Sequence, residues 1–270
     1  MLEAPLHQAA GLIRLGVHHS PKLLAMVSHG DENAELPLLL RLCTNMVELG
    51  YPVVVLDGTA MESNDNPGLE QALQGLESGW SSLETPGWNI IPAGLGLLSL
   101  AARNRGVLGW NGVHALFGHH AVVVVYATAT VLTPLFTGSE VRPVIALSRA
   151  KTSLLTSYVA LKRVLTKGHL QPLVVHVRQA TPDNSPSPVT GLQEYTRQFL
   201  QYEFSAIELD IDSAEDNSAD TDVQRLALGL LETAHTMASG SHEASHWLPP
   251  LVPTNMASPA VPVSSSVGRH

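Results

Sequence analysis

The stretch Ser28-His29-Gly30-Asp31-Glu32-Asn33-Ala34-Glu35-Leu36 lies between an apolar run and a helical pattern. A glycine-bearing turn in that place can hold an anion, because its backbone N–H groups and the N-terminus of the following helix converge on one point. This turn has one glycine and no lysine, and it carries three acids, Asp31, Glu32 and Glu35. They would meet a phosphate with like charge at close range, at a cost on the order of 1 kcal/mol or more. Acids in the first turn of a helix complement its dipole, and that capping role is the reading adopted for them. Asp57 closes a second apolar run, Val53 to Leu56, and precedes Gly58. An aspartate there is an ordinary turn former. Tyr126, after Val122-Val123-Val124-Val125, reads as a packing residue with its hydroxyl near the rim of the same pocket.

His242-Glu243-Ala244-Ser245-His246 fits the H-E-x-x-H pattern, in which two imidazoles one helical turn apart ligate zinc and the glutamate acts as base. Its surroundings do not support a site. Ser239-Gly240-Ser241 precede it, Trp247-Leu248-Pro249-Pro250 follow, and no clear third ligand comes after, so in a chain with 13 histidines the match reads as chance. His18-His19 and His119-His120 show no site spacing and read as solvent-side or strand-edge residues. The absence of any G-x-S-x-G removes hydrolases built on a nucleophile elbow. The single cysteine, Cys43, cannot form an internal disulfide and falls on an apolar helical face, as a buried thiol in a reducing compartment would.

At 270 residues the chain is long enough for one large domain or two small ones. Charged residues are 14% and apolar residues 44%, against a typical charged share of ~25%, so a large part of the chain must be buried. With 15 basic and 24 acidic side chains the net charge is -9, which offers no long-range attraction to a phosphate backbone and argues against nucleic acid as a partner. The first twenty residues lack the apolar core of a secretory signal, so a cytoplasmic location is expected. Ala121 to Phe136 is broken by threonines and Pro134, falls short of the ~20 residues of a membrane helix, and reads as a buried strand followed by a loop.

Short β-branched runs alternating with helical patterns predict an α/β fold, a mostly parallel sheet with helices on both faces. The expected strands are 23–27, 53–56, 88–91, 122–126, 144–147, 173–177 and 207–209, and the expected helices 35–49, 69–76, 96–103, 153–165, 191–204 and 221–237. In the first helix Leu38, Leu39, Leu42, Cys43, Met46 and Val47 make one face, Pro37 belongs to the first turn and Gly50 is the C-terminal cap. Residues 1–20 are expected to form an N-terminal interaction segment, 21–237 the α/β domain, and 238–270 a disordered tail rich in Ser, Pro, Ala and His.

Asn89 to Ala101 (NIIPAGLGLLSLA), Ser148 to Leu165 (SRAKTSLLTSYVALKRVL), Leu173 to Ala180 (LVVHVRQA) and Asp222 to Glu232 (DVQRLALGLLE) are collinear with segments of a known family. Over residues 7 to 235 the order of these pieces resembles that of the MinD/ParA-like deviant P-loop ATPases, most closely the flagellar-number regulators of the FlhG/FleN type. The resemblance implies a MinD-type P-loop NTPase fold and a nucleotide pocket at Ser28, His29, Gly30, Asp31, Asp57, Tyr126 and His176, where His176 replaces the adenine-contacting Asn. Asp57 matches the family's acid at the end of its strand, so the resemblance implies a metal-facing carboxylate there beside the turn-forming reading, and both stay open. The pocket is degenerate. Its turn has lost the Walker-type lysine, and the strand ending in Tyr126-Ala127-Thr128 lacks the acid that orders Mg²⁺. Phosphoryl transfer depends on such positioning and charge, so the expectation is a regulatory or scaffold protein without a cofactor.

The alternative is an active, divergent ATPase of flagellar, pilus or cellulose machinery, using ATP and magnesium. His7-Gln8-Ala9-Ala10-Gly11-Leu12-Ile13-Arg14-Leu15 resembles the family's "DQAxxLR" helix, which implies a protein partner such as the flagellar signal-recognition-type GTPase, met by Gln8, Leu12 and Arg14. The arginine is displaced by one position, about 100° around a helix, which puts activation of that GTPase in question. A short amphipathic leader packed on the domain is the equal reading. The family's last helix can contact membrane. Here Arg225 stands against Asp222 and Glu232, and core packing is the reading adopted.

Overall fold

The computed structural model describes residues 20–75, 87–103, 105–178, 187–210 and 217–238. Among the described residues eight strands form one sheet: β1 (Lys22–Ser28), β2 (Val53–Asp57), β3 (Trp88–Pro92), β4 (Val122–Thr128), β5 (Val144–Leu147), β6 (Leu173–Arg178), β7 (Ala206–Asp210) and β8 (His235–Thr236). The helices are α1 (Glu32–Glu48), α2 (Leu69–Leu73), α3 (Gly94–Ala102), α4 (Ala129–Phe136), α5 (Lys151–Gly168), α6 (Pro188–Leu200) and α7 (Asn217–Thr233), with a 3₁₀ helix at Gly106–Phe117. The sheet order is β3-β2-β4-β1-β5-β6-β7, and β8 joins β1 antiparallel, pairing Thr236 with Lys22 and His235 with Leu23. All other pairings are parallel. Strands covered on both faces must be apolar throughout, and Val53–Val55 and Val122–Val125 are β-branched for that reason.

Alternation along each strand divides the core into two layers. On one face Leu24, Met26, Val55, Val124 and Val175 pack with Leu38, Leu42, Cys43 and Met46 of α1 and with Leu226 and Leu230 of α7. On the other, Ala25, Val27, Leu56, Val125 and Val174 pack beneath α3 to α6 and the 3₁₀ helix, with Trp110 and Phe136 among the largest fully buried side chains. Burial pushes the Cys43 thiol up to about 12. No helix among the described residues is long and apolar enough to cross a membrane.

Several sequence expectations need correction. Helix α1 begins at Glu32, so Pro37 lies inside it rather than in its first turn. Its end is as expected: Gly50 at φ 88° follows the last turn, with Gly50 N–H bonded to Val47 O and Tyr51 N–H to Met46 O. The loop expected before Pro134 is helix α4, whose Leu132, Leu135 and Phe136 are buried; an all-apolar run has no period to tell strand from helix. Helix α6 runs three residues earlier at its start and stops at Leu200. Helix α7 stops at Thr233, because the next residues join the sheet as β8. The 3₁₀ helix had no counterpart among the expected elements. Gln8, Leu12 and Arg14, the H-E-x-x-H stretch and the expected tail beyond Ala238 lie outside the described residues.

Candidate functional site

Parallel strands bring their C-terminal ends to one edge of the sheet, and β1 lies where the strand order turns back on itself. Ser28 is level with Thr128, and Asp57 with Tyr126. The turn His29-Gly30-Asp31 follows β1 and leads into α1. Gly30 has φ 92°, in the left-handed region where a side chain is strained.

The turn closes around Glu35, a fully buried side chain of α1. Glu35 Oε1 accepts from the backbone N–H of His29 at 2.9 Å and of Asp31 at 2.8 Å. Its Oε2 accepts the Tyr126 hydroxyl in a short bond. Burial raises the Tyr126 pKa, and the bond to Glu35 raises it further. The His29 ring lies 3.5 Å from Glu35 Oε1, donates from Nε2 to Ala146 O at 2.8 Å, and bonds the Thr156 hydroxyl through Nδ1 at 2.9 Å. Asp31, also buried, accepts from Ser148 N–H at 3.1 Å, which ties the turn after β1 to the turn after β5. Ser148 N–H also bonds Ser153 Oγ at 3.0 Å, in the first turn of α5.

Capping therefore describes these acids only in part. Asp31 holds the N-cap place of α1 but makes no side-chain cap bond. Glu35 turns back onto the amides that precede its own helix. The sequence signal was available: Glu35 is in line with Leu38, Leu39, Leu42 and Met46, on the stripe that must be buried.

A second carboxylate behaves alike. Glu62, 6% exposed, accepts from Leu95 N–H at 2.6 Å and Gly96 N–H at 2.9 Å at the start of α3, and from Glu70 N–H at 3.2 Å at the start of α2. Sequence reasoning missed it, because nothing local to Glu62 announces partners 33 residues away.

The remaining expected residues divide. Asp57 Oδ1 accepts from the backbone N–H of Thr59 at 2.8 Å and from its hydroxyl at 2.6 Å, which is the turn-forming geometry. His176 is fully buried beside Val174 on the face opposite Tyr126, and is not brought to the turn. Neither of its ring nitrogens has a hydrogen-bond partner, with Glu208 3.9 Å away, and burial lowers its pKa. Among the described residues no group of three or more His, Cys, Asp or Glu side chains is placed to hold a metal ion.

The solved structure of the MinD cell division protein of Aquifex aeolicus is similar to this chain with a TM-score of 0.50 and 12% identity, covering 77% of this chain and 97% of that one. Also similar are cobyrinic acid a,c-diamide synthase of Mycobacterium smegmatis with a bound ATP analog and magnesium, and a ParA family ATPase of Chlorobium tepidum. The first has a TM-score of 0.49 and 14% identity over 78% of this chain and 94% of that one. The second has 0.44 and 12% over 79% and 96%. The fold is thus the mostly parallel α/β fold of the MinD/ParA P-loop ATPases. No family model matches the chain, and no curated protein does.

The ligand that the sequence resemblance implies is a nucleoside triphosphate with magnesium, and three features of the site bear on its fit. Two amides of the turn already serve an anion belonging to the chain, the turn 28–36 holds no lysine, and one of the two Asp57 oxygens, Oδ1, is engaged with Thr59.

Proposed function

We propose that this chain is a non-catalytic, MinD- and FlhG-like regulatory or scaffold protein, acting through protein contacts in the control of flagellar assembly, number or placement. The observation that carries the reading is the Glu35 carboxylate seated on the His29 and Asp31 amides. A phosphate at that point would have to displace a buried carboxylate bonded to three donors, and no lysine of the turn would compensate its charge. The flagellar setting and the signal-recognition-type GTPase as partner rest on the resemblance of residues 7 to 235 and of Gln8, Leu12 and Arg14.

Calorimetric titration with ATP, with and without Mg²⁺, is expected to show no saturable binding below about 1 mM, an affinity weaker than about -4 kcal/mol. Phosphate release should equal the blank. Micromolar affinity together with turnover that is lost in Asp57→Ala would overturn the reading in favour of an active, divergent ATPase. Co-purification of the tagged chain from its native cell tests the flagellar assignment separately.

A further inference from the structure

Helices α5 and α6 pack side by side in register: Leu154 lies against Gly191, and the Tyr158 ring meets Tyr195 edge-on with centroids 6.4 Å apart. Tyr195 in turn stacks with Phe199 at 6.3 Å. Along the outer side of this pair, Leu155 and Val159 are 65% and 59% exposed, and Tyr195 and Phe199 are 47% and 60% exposed. These are two apolar i,i+4 pairs on adjoining helices, joined by an aromatic ladder. A contiguous exposed apolar patch of this kind marks an interaction site.

The charge of the same face is opposite to that of the chain. Helix α5 carries Lys151, Lys162, Arg163 and Lys167 and no acid at all, in a protein of net charge -9. One turn beyond the Tyr158–Tyr195 contact, Lys162 on α5 and Phe199 on α6 are the next residues along. On α6, Glu194 and Arg197 cancel. Among the described residues none of these five cations pairs with a carboxylate, whereas Arg178 and Arg225 do.

We propose that the α5–α6 face is a docking surface for an acidic amphipathic segment of a partner protein. The segment's apolar residues seat on Leu155, Val159, Tyr195 and Phe199, and its carboxylates meet Lys162, Arg163 and Lys167. An extended polyanion such as duplex DNA or an anionic bilayer is the poorer fit. Beyond a Debye length of ~8 Å it meets the rest of an acidic surface, while a short segment samples the local basic patch alone. The proposal is independent of the occupied turn after β1, and a chain that bound ATP would leave it standing.

The test uses the full chain and a fluorescein-labelled helical peptide of about 18 residues. The peptide has Leu and Phe at i,i+4 spacing and Glu on its flanks. Its comparators have the same composition with the apolar row scrambled, or Lys in place of every Glu. Anisotropy is expected to give a Kd on the order of 10 µM for the acidic amphipathic peptide. Binding should weaken at least about tenfold in Lys162→Glu/Arg163→Glu and in Phe199→Ala, each checked for unchanged circular dichroism. Hydrogen exchange should slow in residues 151–168 and 188–200 on binding. No binding at about 1 mM peptide would overturn the proposal. So would equal binding of the scrambled or Lys peptide, tighter binding to phosphatidylserine vesicles or duplex DNA, or unchanged affinity in both variants.

Discussion

Glu35 occupies the apolar stripe of α1 and still finds polar partners for both carboxylate oxygens, two backbone amides and the Tyr126 hydroxyl. A buried donor left without its acceptor costs about 1–3 kcal/mol, so Glu35→Ala, which strands all three, should lower stability by roughly 3 kcal/mol after local relaxation. Tyr126→Phe removes one donor and should cost about 1 kcal/mol. Because the two residues share one bond, the double variant should lose less than the sum, and urea unfolding of the four proteins measures the coupling. At this scale the sequence was legible for residue type and position but not for partner. Three acids before a helix are visible in the chain, yet only the fold decides that Glu35 faces inward and that Asp31 reaches Ser148 on another turn. His176 shows the same limit. Strand alternation puts it on a face, and which face is set by the helices that cover it.

At the scale of elements, the junction of α2 and α3 depends on close approach. Gly68 starts α2 where a Cβ would overlap the Pro92 carbonyl oxygen and lie 2.6 Å from Glu62 Cγ, and a Cβ on Gly96 would lie 2.6 Å from Leu69 Cγ. Gly68→Ala should therefore cost about 1–3 kcal/mol through backbone displacement and weaken the Glu62 bonds to both helix starts. Thermal unfolding measures the loss, and hydrogen exchange should quicken at Leu95 and Gly96. The strands were readable because parallel strands buried on both sides admit only apolar, mostly β-branched residues. Helix α1 was readable from its 3.6-residue stripe. Helix α4 and the 3₁₀ helix were not: both are apolar nearly throughout, so hydropathy carries no period, and Pro134 pointed to a break where burial of Leu132, Leu135 and Phe136 holds the helix together.

For the molecule as a whole, one described histidine, His176, is fully buried and two more, His120 and His235, are half-buried. His120, His176 and His235 each have a pKa lowered by burial, and each has at least one ring nitrogen with no hydrogen-bond partner among the described residues. A lowered folded-state pKa means the unfolded chain binds the proton more readily. Stability is then complete above the unfolded value, about 6.5, and falls as pH drops below it. The urea midpoint at pH 5.5 should thus lie below that at pH 7.5. His176→Phe, which removes the group that faces Glu208, Arg149 and Arg178, should flatten the decline. The strand order around β1 was not readable, since pairing between distant segments leaves no local trace, and β8 was read as the end of a helix. That last strand bears on mechanics. The chain enters at Pro21 and leaves at Met237, whose N–H bonds Pro21 O at 2.9 Å, so entry and exit meet at the start of the central strand β1. Tension applied across those two points would open the β1–β8 ladder like a zipper, one bond at a time, and the short strand would peel away under a small load before the seven parallel strands felt any shear.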